Sequence, residues 1–421
     1  MSKELKEKRP LWKHPWGYGE GLTLSVALFL IGIGIEFITN GKGLPTLLWP
    51  TNLAVGLVFV VMLVGLNIGF RNSGIVKWLS SIPAAVSSMC LFLVLVFVLG
   101  FTLQNDAEVS NITRRMGFSH MTNSYTFALA QIFFLTTLGL VTLRRLTPLS
   151  KKNMGFFINH AGLWLTLTAG ILGSGDMLRI NMKLIEGQEP KDLAYDNNLR
   201  LYQMSYSLKL LEFNVDMYNP KLGFIDNQSG EFLSEDGHNL MQIDEGAEAK
   251  IWDWTIKIDK FIADASTIDS ISYQADTTDG AAPAAYIIAT SPNGNEKVEG
   301  WVSCGSYKVP YSVLSLSTKY SAVMTYPEAQ KYSSIIEATT KSGIDTFLLE
   351  VNKPFFLNGS KIYQSGYDSS RGKWSQYSVL EIVIDPWLPV VYFGFFMLLA
   401  GGIYIFWIGK DTVTEEENEK K

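Results

Sequence analysis

The sequence predicts a polytopic α-helical membrane protein of about six spans that carries a large extracytoplasmic, mainly antiparallel β domain. Of the 421 residues, 47% are hydrophobic, and they concentrate in six apolar runs long enough to cross a bilayer as helices. Residues 174–386 instead have the composition of an ordinary soluble domain and contain strand-like runs. The net charge of -5 and the lack of an extended basic region argue against a nucleic-acid partner.

Six spans divide the chain into four parts. The spans are about Leu22–Ile38, Leu53–Phe70, Ala84–Leu103, Tyr125–Leu143, Gly155–Gly173 and Leu388–Ile408. The parts are a cytoplasmic arm with two N-terminal spans (1–83), a three-span membrane core (84–173), a β-rich domain (174–386), and the last span with an acidic tail (387–421). Trp49-Pro50 and Trp387 lie at span ends, where interfacial aromatic residues are expected.

The distribution of lysine and arginine between the short loops predicts the orientation of the spans. With six spans, the N-terminal arm, the loop after the second span, the loop after the fourth span and the tail fall on one side. The two loops contain Arg71, Lys77, Arg144, Arg145, Lys151 and Lys152. That side is therefore predicted to be the cytoplasm, and residues 174–386 are predicted to lie outside it. Arg114 and Arg115, in a loop on the opposite side, are a mild exception.

Period-two alternation of apolar and polar residues predicts strands in the outer domain. Ile251–Phe261 alternates in this way, which places Trp252 and Trp254 on one buried face. Similar runs are Tyr206–Asp216, Ala284–Thr290, Thr346–Val351 and Tyr377–Ile384. One helix is expected between Thr325 and Gly343, because Thr325-Tyr-Pro-Glu328 resembles a capping box. The two ends of the domain are expected to enter the fifth and sixth spans side by side.

The two cysteines, Cys90 in a span and Cys304 in the outer domain, are not expected to form a bridge. The chain has no CxxC motif and therefore no means of dithiol exchange by itself.

The fifth span contains one ionisable residue, His160. Ionisable residues inside a membrane are costly and usually functional, and a neutral imidazole is a good axial ligand for haem iron. The alternative is a polar side chain that is hydrogen-bonded to a neighbouring helix, with Asn159 contributing. Gly162, Thr166, Ala169 and Gly173 form a neighbouring stripe of small residues that predicts close helix packing. Glu36, near the outer end of the first span, is expected to be hydrated, and the alternative is a role in a proton relay.

Four segments in a fixed order resemble a known family. They are the span HAGLWLTLTAGILG, the run VNKPFFLNG at 351–359, KIYQSGY at 361–367 and DPWLPVVYFG at 385–394. Together they resemble the ResB (CcsB) family of system II cytochrome c biogenesis proteins, which has an N-x-P turn, a YQ-x-x-Y strand, a DPG segment before its last span, and a histidine in the span before the outer domain. The resemblance covers residues 84 to 408. Two extra N-terminal spans and Trp387 in place of the family's usual glycine depart from it.

The resemblance implies that the chain handles haem b, bound transiently and shared with a tryptophan-rich CcsA-type membrane partner. The pair would move haem across a bacterial cytoplasmic (inner) membrane and attach it to the CxxCH thiols of apocytochrome c on the periplasmic side. No tryptophan-rich WWD-type motif is present in this chain. The chain is therefore expected to be a non-autonomous subunit of a holocytochrome c synthase (haem lyase), with no catalytic residue of its own.

Four residues are the predicted cofactor-binding set. His160 is predicted to be an axial ligand of haem iron. Arg144 and Arg145 are placed to meet the haem propionates, unless they only signal topology. Trp164, one helical turn after His160, is placed either to line a porphyrin or to pack against lipid or another helix. His120, just outside the fourth span, is a weaker candidate for an external haem ligand. The competing function is a non-enzymatic membrane anchor or sensor whose β domain binds an envelope protein or ligand.

Overall fold

The computed structural model describes residues 12–104, 109–146, 150–233, 240–269 and 271–418. Most of the cationic N-terminal arm and the last three residues of the acidic tail lie outside this part of the chain. The chain forms two compact units, one comprising Met1–Leu178 with Asp385–Lys421 and the other Arg179–Ile384. The second unit begins five residues after the predicted start of the β domain at 174 and ends two residues before its predicted end at 386.

The first unit is helical. Its helices are α1 (Tyr18–Ile38), α2 (Thr51–Gly69), α3 (Gly74–Leu79), α4 (Ile82–Phe101), α5 (Asn111–Arg115), α6 (Tyr125–Arg145), α7 (Lys151–Gly173) and α8 (Leu388–Asn418), with a 3-10 segment at Phe118–Asn123. Six of them, α1, α2, α4, α6, α7 and α8, are long and apolar enough to cross a membrane. The six predicted spans are thus confirmed as helices to within a few residues at their starts, and they are consistent with a multi-pass membrane protein.

Helix α6 is the centre of this unit. In its apolar window 61% of the residues are buried, whereas the windows of the other five long helices are only 11–22% buried. The helices α1, α2, α3, α4 and α7 all contact α6. The two N-terminal helices that the resemblance leaves unexplained therefore pack on the same core as the others.

Helices α7 and α8 pack closely because glycines let their backbones approach. A Cβ added to Gly162 would lie 2.4 Å from the backbone nitrogen of Leu398, and one added to Gly401 would lie 2.2 Å from the backbone nitrogen of Asn159. Asn159 also donates a hydrogen bond from Nδ2 to the carbonyl oxygen of Leu398 at 2.8 Å. The predicted small-residue stripe on α7 is confirmed as a packing surface.

The second unit is a β domain, as predicted. Its strands are β1 (Leu178–Ile185), β2 (Lys191–Tyr195), β3 (Leu201–Met217), β4 (Lys221–Asp226), β5 (Met241–Gln242), β6 (Glu248–Ile251), β7 (Trp254–Thr267), β8 (Tyr273–Ala275), β9 (Ala282–Thr290), β10 (Lys297–Ser303), β11 (Leu314–Ser315), β12 (Tyr320–Met324), β13 (Ala329–Thr340), β14 (Gly343–Glu350), β15 (Phe355–Leu357), β16 (Ser360–Tyr367) and β17 (Tyr377–Ile384).

Three antiparallel sheets are built from these strands. The largest has eight strands in the order β14-β13-β3-β2-β1-β17-β16-β15, the second has the order β10-β9-β7-β6 with β8 paired to β7, and the third has the order β11-β12-β4-β5. The first and last strands of the domain, β1 and β17, are neighbours in the largest sheet, and just beyond them the backbone N–H of Glu186 donates to the carbonyl oxygen of Gln376 at 2.8 Å. The two ends of the domain therefore belong to adjacent strands. The second and third sheets share a core that includes Phe224, Ile256 and Ile287, each fully buried.

Two predictions of secondary structure were wrong. The segment expected to form a helix, Thr325 to Gly343, contains β13 and the turn into β14. The Thr325 hydroxyl accepts a hydrogen bond from the backbone N–H of Lys221, 3.0 Å away on β4, so it caps no helix. Strand pairing on both sides of β13, with β3 and β14, overrides the local helix signal.

The second error concerns only the start of the run Ile251–Phe261, which is a single strand from Trp254 onward, as predicted, but begins in a hairpin turn. Trp252 and Asp253 form its two-residue turn with positive φ angles of 47° and 66°, and Ile251 pairs with Trp254 across it. Trp254 is buried, as predicted. Trp252 is 40% exposed, because the turn removes it from the buried face of the strand.

Candidate functional site

His160 lies in the middle of α7, and its ring is held in place by Phe156 one turn earlier. The imidazole stacks on the Phe156 ring with 3.7 Å between ring centroids. The Nδ1 atom lies 3.0 Å from the carbonyl oxygen of Phe156. A carbonyl oxygen only accepts, so in the neutral ring Nδ1 carries the proton and Nε2 keeps its lone pair. That tautomer is the one that can coordinate a metal through Nε2.

His160 lines a cavity of about 640 Å³ in the helical unit. The size falls within the usual range of sites for small molecules and cofactors. Much of its lining is apolar and comes from α4 and α6, with Met89, Phe134, Leu138 and Val141 among the side chains. An apolar cavity with few polar groups suits a flat hydrophobic ligand.

Three arginines line the same cavity. They are Arg144 and Arg145, at the end of α6, and Arg71, after α2. Arg144 donates from Nη1 to the Ser80 hydroxyl at 2.8 Å, and the Arg145 guanidinium lies over the Phe156 ring, 5.2 Å from its centroid. No aspartate or glutamate is among the described residues that line the cavity. Its polar end is therefore strongly cationic.

Trp164 is not part of this arrangement. Its Nε1 donates to the carbonyl oxygen of Leu135 at 3.0 Å, and its ring is parallel to that of Phe59, 6.1 Å away. Trp164 therefore packs α7 against α6 and α2 and is absent from the cavity lining. Of the alternatives that the sequence left open for Trp164, the structure supports helix packing. Of the four predicted cofactor-binding residues, the other three line the same cavity. They are His160, Arg144 and Arg145.

Arg71, Ser80 and Phe156 are members of the site that the sequence did not predict. Arg71 counted only as a topology signal, because it lies in a different part of the sequence from the other cavity residues. Phe156 was not distinguished from the other apolar residues of the predicted fifth span. A phenylalanine four residues before a histidine in a helix is the local signal that was available for Phe156, since residues at this spacing lie on one face.

A second polar cluster lies around Glu36, at the other end of the unit's long helices. Glu36 is fully buried, so the prediction that it is hydrated was wrong. Its Oε1 accepts a hydrogen bond of 2.8 Å from the backbone N–H of Tyr125, and its Oε2 lies 3.6 Å from Nε2 of His120. Both of these facing atoms are buried without a hydrogen-bond partner among the described residues.

Two glycines enclose this pair. Gly117 and Gly43 both have positive φ angles, 78° and 66°. A Cβ on Gly117 would lie 2.9 Å from the Glu36 side chain, and one on Gly43 would lie 3.0 Å from the His120 ring. The backbone at these two glycines therefore packs directly against the Glu36 and His120 side chains, and Glu36 is not exposed to solvent. The structure places His120 in this pair and not in the cavity of His160.

The β domain contains a larger cavity of about 910 Å³. It is lined by the end of β3, part of β7, the start of β9, the segment after β10 and the segment 369–374, and its lining includes Tyr307, Tyr326, Arg371 and Trp374. Cys304 also lines it and is 1% exposed. Burial raises the pKa of the Cys304 thiol to about 12, so it is a poor nucleophile at neutral pH. Both cysteines are free, as predicted.

No protein-family model and no curated protein matches the chain. The resemblance to the ResB family stays a prediction that depends on the four sequence segments. Among the described residues, no group of three or more histidine, cysteine or acidic side chains is arranged to hold a metal ion by itself.

Proposed function

We propose that the chain is a ResB-like subunit of a system II cytochrome c synthase and that the cavity beside His160 binds haem b. One observation carries this proposal: a histidine with an available Nε2 lone pair and three arginines line one largely apolar cavity. The resemblance suggests such a site, and the residues that line the cavity support it.

The residues present match the parts of haem. The neutral His160 imidazole is a suitable axial ligand for iron. The apolar side chains from α4 and α6 suit a porphyrin ring, and the arginines suit two propionates, because guanidinium binds carboxylate through two parallel hydrogen bonds. His160 is the one histidine among the described residues that line the cavity, so a further ligand to the iron would have to come from another group. This supports a site shared with a CcsA-type partner.

The chain's own residues bind and orient. The hydrogen bond from Nδ1 to the Phe156 carbonyl fixes the His160 tautomer and ring angle. Apolar side chains of α4 and α6 line the same cavity as His160. Haem, when bound, supplies the vinyl groups to which the CxxCH thiols of apocytochrome c are joined. Thioether formation would occur in the complex, since no catalytic residue is proposed in this chain.

The proposed location is a bacterial cytoplasmic membrane, with the β domain on the periplasmic side. Cations flanking short loops favour the cytoplasmic side, and Arg71, Arg144 and Arg145 are all predicted to lie there. The haem cavity would then open near the side on which haem is made. The β domain would contact the partner or apocytochrome c.

The test is haem content. The full-length chain, alone and co-expressed with a CcsA-type partner, is purified and its Soret band is recorded. His160→Gly should lose the band, and added imidazole should restore it by filling the vacated ligand position. His14→Gly is the matched control, because His14 is exposed, lies in the same unit and does not line the cavity. A His160→Gly protein with undiminished haem would refute the assignment.

The second candidate is a membrane anchor or sensor whose β domain binds an envelope ligand. The 910 Å³ cavity in that domain favours it. This function predicts a protein without a Soret band in any preparation. It also predicts unchanged amounts of c-type cytochromes after deletion of the gene, whereas the first function predicts their loss.

A further inference from the structure

The segment that follows the second N-terminal span forms one wall of the His160 cavity. Arg71, Ser80 and Ser81 all line it. They belong to the part of the chain, residues 1–83, for which the ResB resemblance suggests no role. Part of this N-terminal region therefore contributes directly to the lining of the His160 cavity.

This wall is fixed by packing. Its short helix α3 is capped by Ser73, whose hydroxyl accepts from the backbone N–H of Val76 at 3.2 Å. Val76 and Trp78 on α3 are each only 5% exposed. Trp78 lies against Phe133 of α6, with 6.3 Å between ring centroids. A segment anchored in this way holds Arg71 at the cavity with little freedom to leave it.

Arg71 and Arg144 are both linked by hydrogen bonds that join this wall to α6. The Arg71 side chain reaches the backbone of α6, with Nη2 3.5 Å from the carbonyl oxygen of Arg144. Arg144 in turn donates to Ser80 on the same wall. Like charges that share a partly apolar cavity repel one another, and an anion bound between them removes that cost.

We infer that Arg71 binds a carboxylate of the ligand held by His160, and that the N-terminal spans serve to complete the anion-binding end of this site. The inference rests on the proposed function and deepens it, because it makes the two propionates a requirement for tight binding. The ligand class is a hydrophobic macrocycle with carboxylate side groups. The same guanidinium chemistry would also attract the phosphate of an anionic lipid, and the experiment separates the two sources.

The experiment compares haem with haem dimethyl ester, in which both carboxylates are neutralised. The full-length chain is placed in nanodiscs of phosphatidylcholine, and each ligand is titrated by its Soret change. Arg71→Ala should weaken haem binding about tenfold or more, as expected for loss of a charge-assisted hydrogen bond. Its affinity for the ester should stay at the wild-type value. Arg71→Lys should recover part of the loss.

Lys77→Ala is the matched control, because Lys77 is an exposed cation on α3 that does not line the cavity. It should leave both affinities unchanged. Arg71→Ala with unchanged haem affinity would overturn the inference, and so would equal losses for haem and for the ester. If phosphatidylglycerol nanodiscs abolish the effect of Arg71→Ala, a lipid phosphate is the true ligand and the inference also fails.

The proposed function fails in a different way. Without iron coordination by His160, wild type and His160→Gly would give the same titration. If His160→Gly loses binding and Arg71→Ala does not, the haem site stands and only the role of Arg71 is rejected.

Discussion

The indole N–H of Trp387 donates a hydrogen bond of 2.7 Å to Oδ2 of Asp176. The same carboxylate accepts from Asn52 Nδ2 at 2.7 Å and from the backbone N–H of Trp49 at 2.8 Å. Asp176 thus ties together the end of α7 and the starts of α2 and α8. Trp387 therefore has a structural role, and a Cβ on Gly173 would lie 2.4 Å from its side chain.

These hydrogen bonds predict a pH-dependent stability. The hydrogen bond from Asn52, together with those from Trp49 and Trp387, lowers the pKa of Asp176 below its usual value. A lowered pKa in the folded state means that the stabilisation is complete above the ordinary pKa of aspartate, about 3.9, and is lost as the pH falls through the folded-state value. At pH 7, Asp176→Asn should lower the free energy of unfolding by about 1 kcal/mol.

The measurement is thermal unfolding of both proteins in detergent as a function of pH. The difference in melting temperature between wild type and Asp176→Asn should be constant from pH 8 to pH 5 and shrink at lower pH. A difference that grows on acidification would contradict the assigned direction of the pKa shift.

The Glu36–His120 pair predicts strong coupling between two substitutions. Removing one partner of a buried polar pair leaves the other without compensation, at a cost of roughly 1–3 kcal/mol. Glu36→Gln and His120→Gln should therefore each destabilise the protein, and the double variant should be less destabilised than the sum of the two. A double-mutant cycle measured by denaturant unfolding gives the coupling energy. Additive effects would show that the 3.6 Å contact contributes nothing.

The α7–α8 contact predicts opposite outcomes for two glycines of α7. Gly162→Ala should destabilise the protein by about 1–3 kcal/mol, because the new Cβ would meet the α8 backbone at 2.4 Å. Gly170 is the control on the same helix, since a Cβ there meets nothing within 4 Å. Gly170→Ala should be neutral or slightly stabilising, as alanine is the better helix former. Equal melting temperatures for the two variants would exclude the close packing.

The raised pKa of Cys304 predicts slow alkylation. A thiol with a pKa of about 12 is almost entirely protonated at pH 8, and the thiolate is the reactive form. A charged maleimide should modify Cys304 very slowly in the folded protein and rapidly in denaturant. Cys90→Ser provides a background with Cys304 as the single thiol of the chain. Rapid labelling of the folded protein would show that the cavity admits reagent to an ionised thiol.

Local physical chemistry was enough for much of this protein. The six long apolar helices could be predicted because a long apolar run that crosses a bilayer satisfies its own backbone hydrogen bonds as a helix. The strands at 206–216 and 377–384 could be predicted because alternation along a strand is visible without knowing the partner strand. His160 was recognisable because one ionisable residue in an apolar helix is costly unless it has a use.

The remaining features depend on partners that are distant in the sequence. Pairing with β3 and β14 made a strand of β13 despite its capping signal. Glu36 is buried by segments around Gly43 and Gly117 that pack against it and His120. The sequence next to Glu36 does not reveal this packing. Arg71 and Arg144 lie 73 positions apart by their numbers, and only the packing of α3 on α6 brings them to one cavity. The sequence by itself determined which segments are helices or strands, since that preference is local. Only the tertiary structure decided which side chains share a site, because burial and contact depend on what folds against each residue.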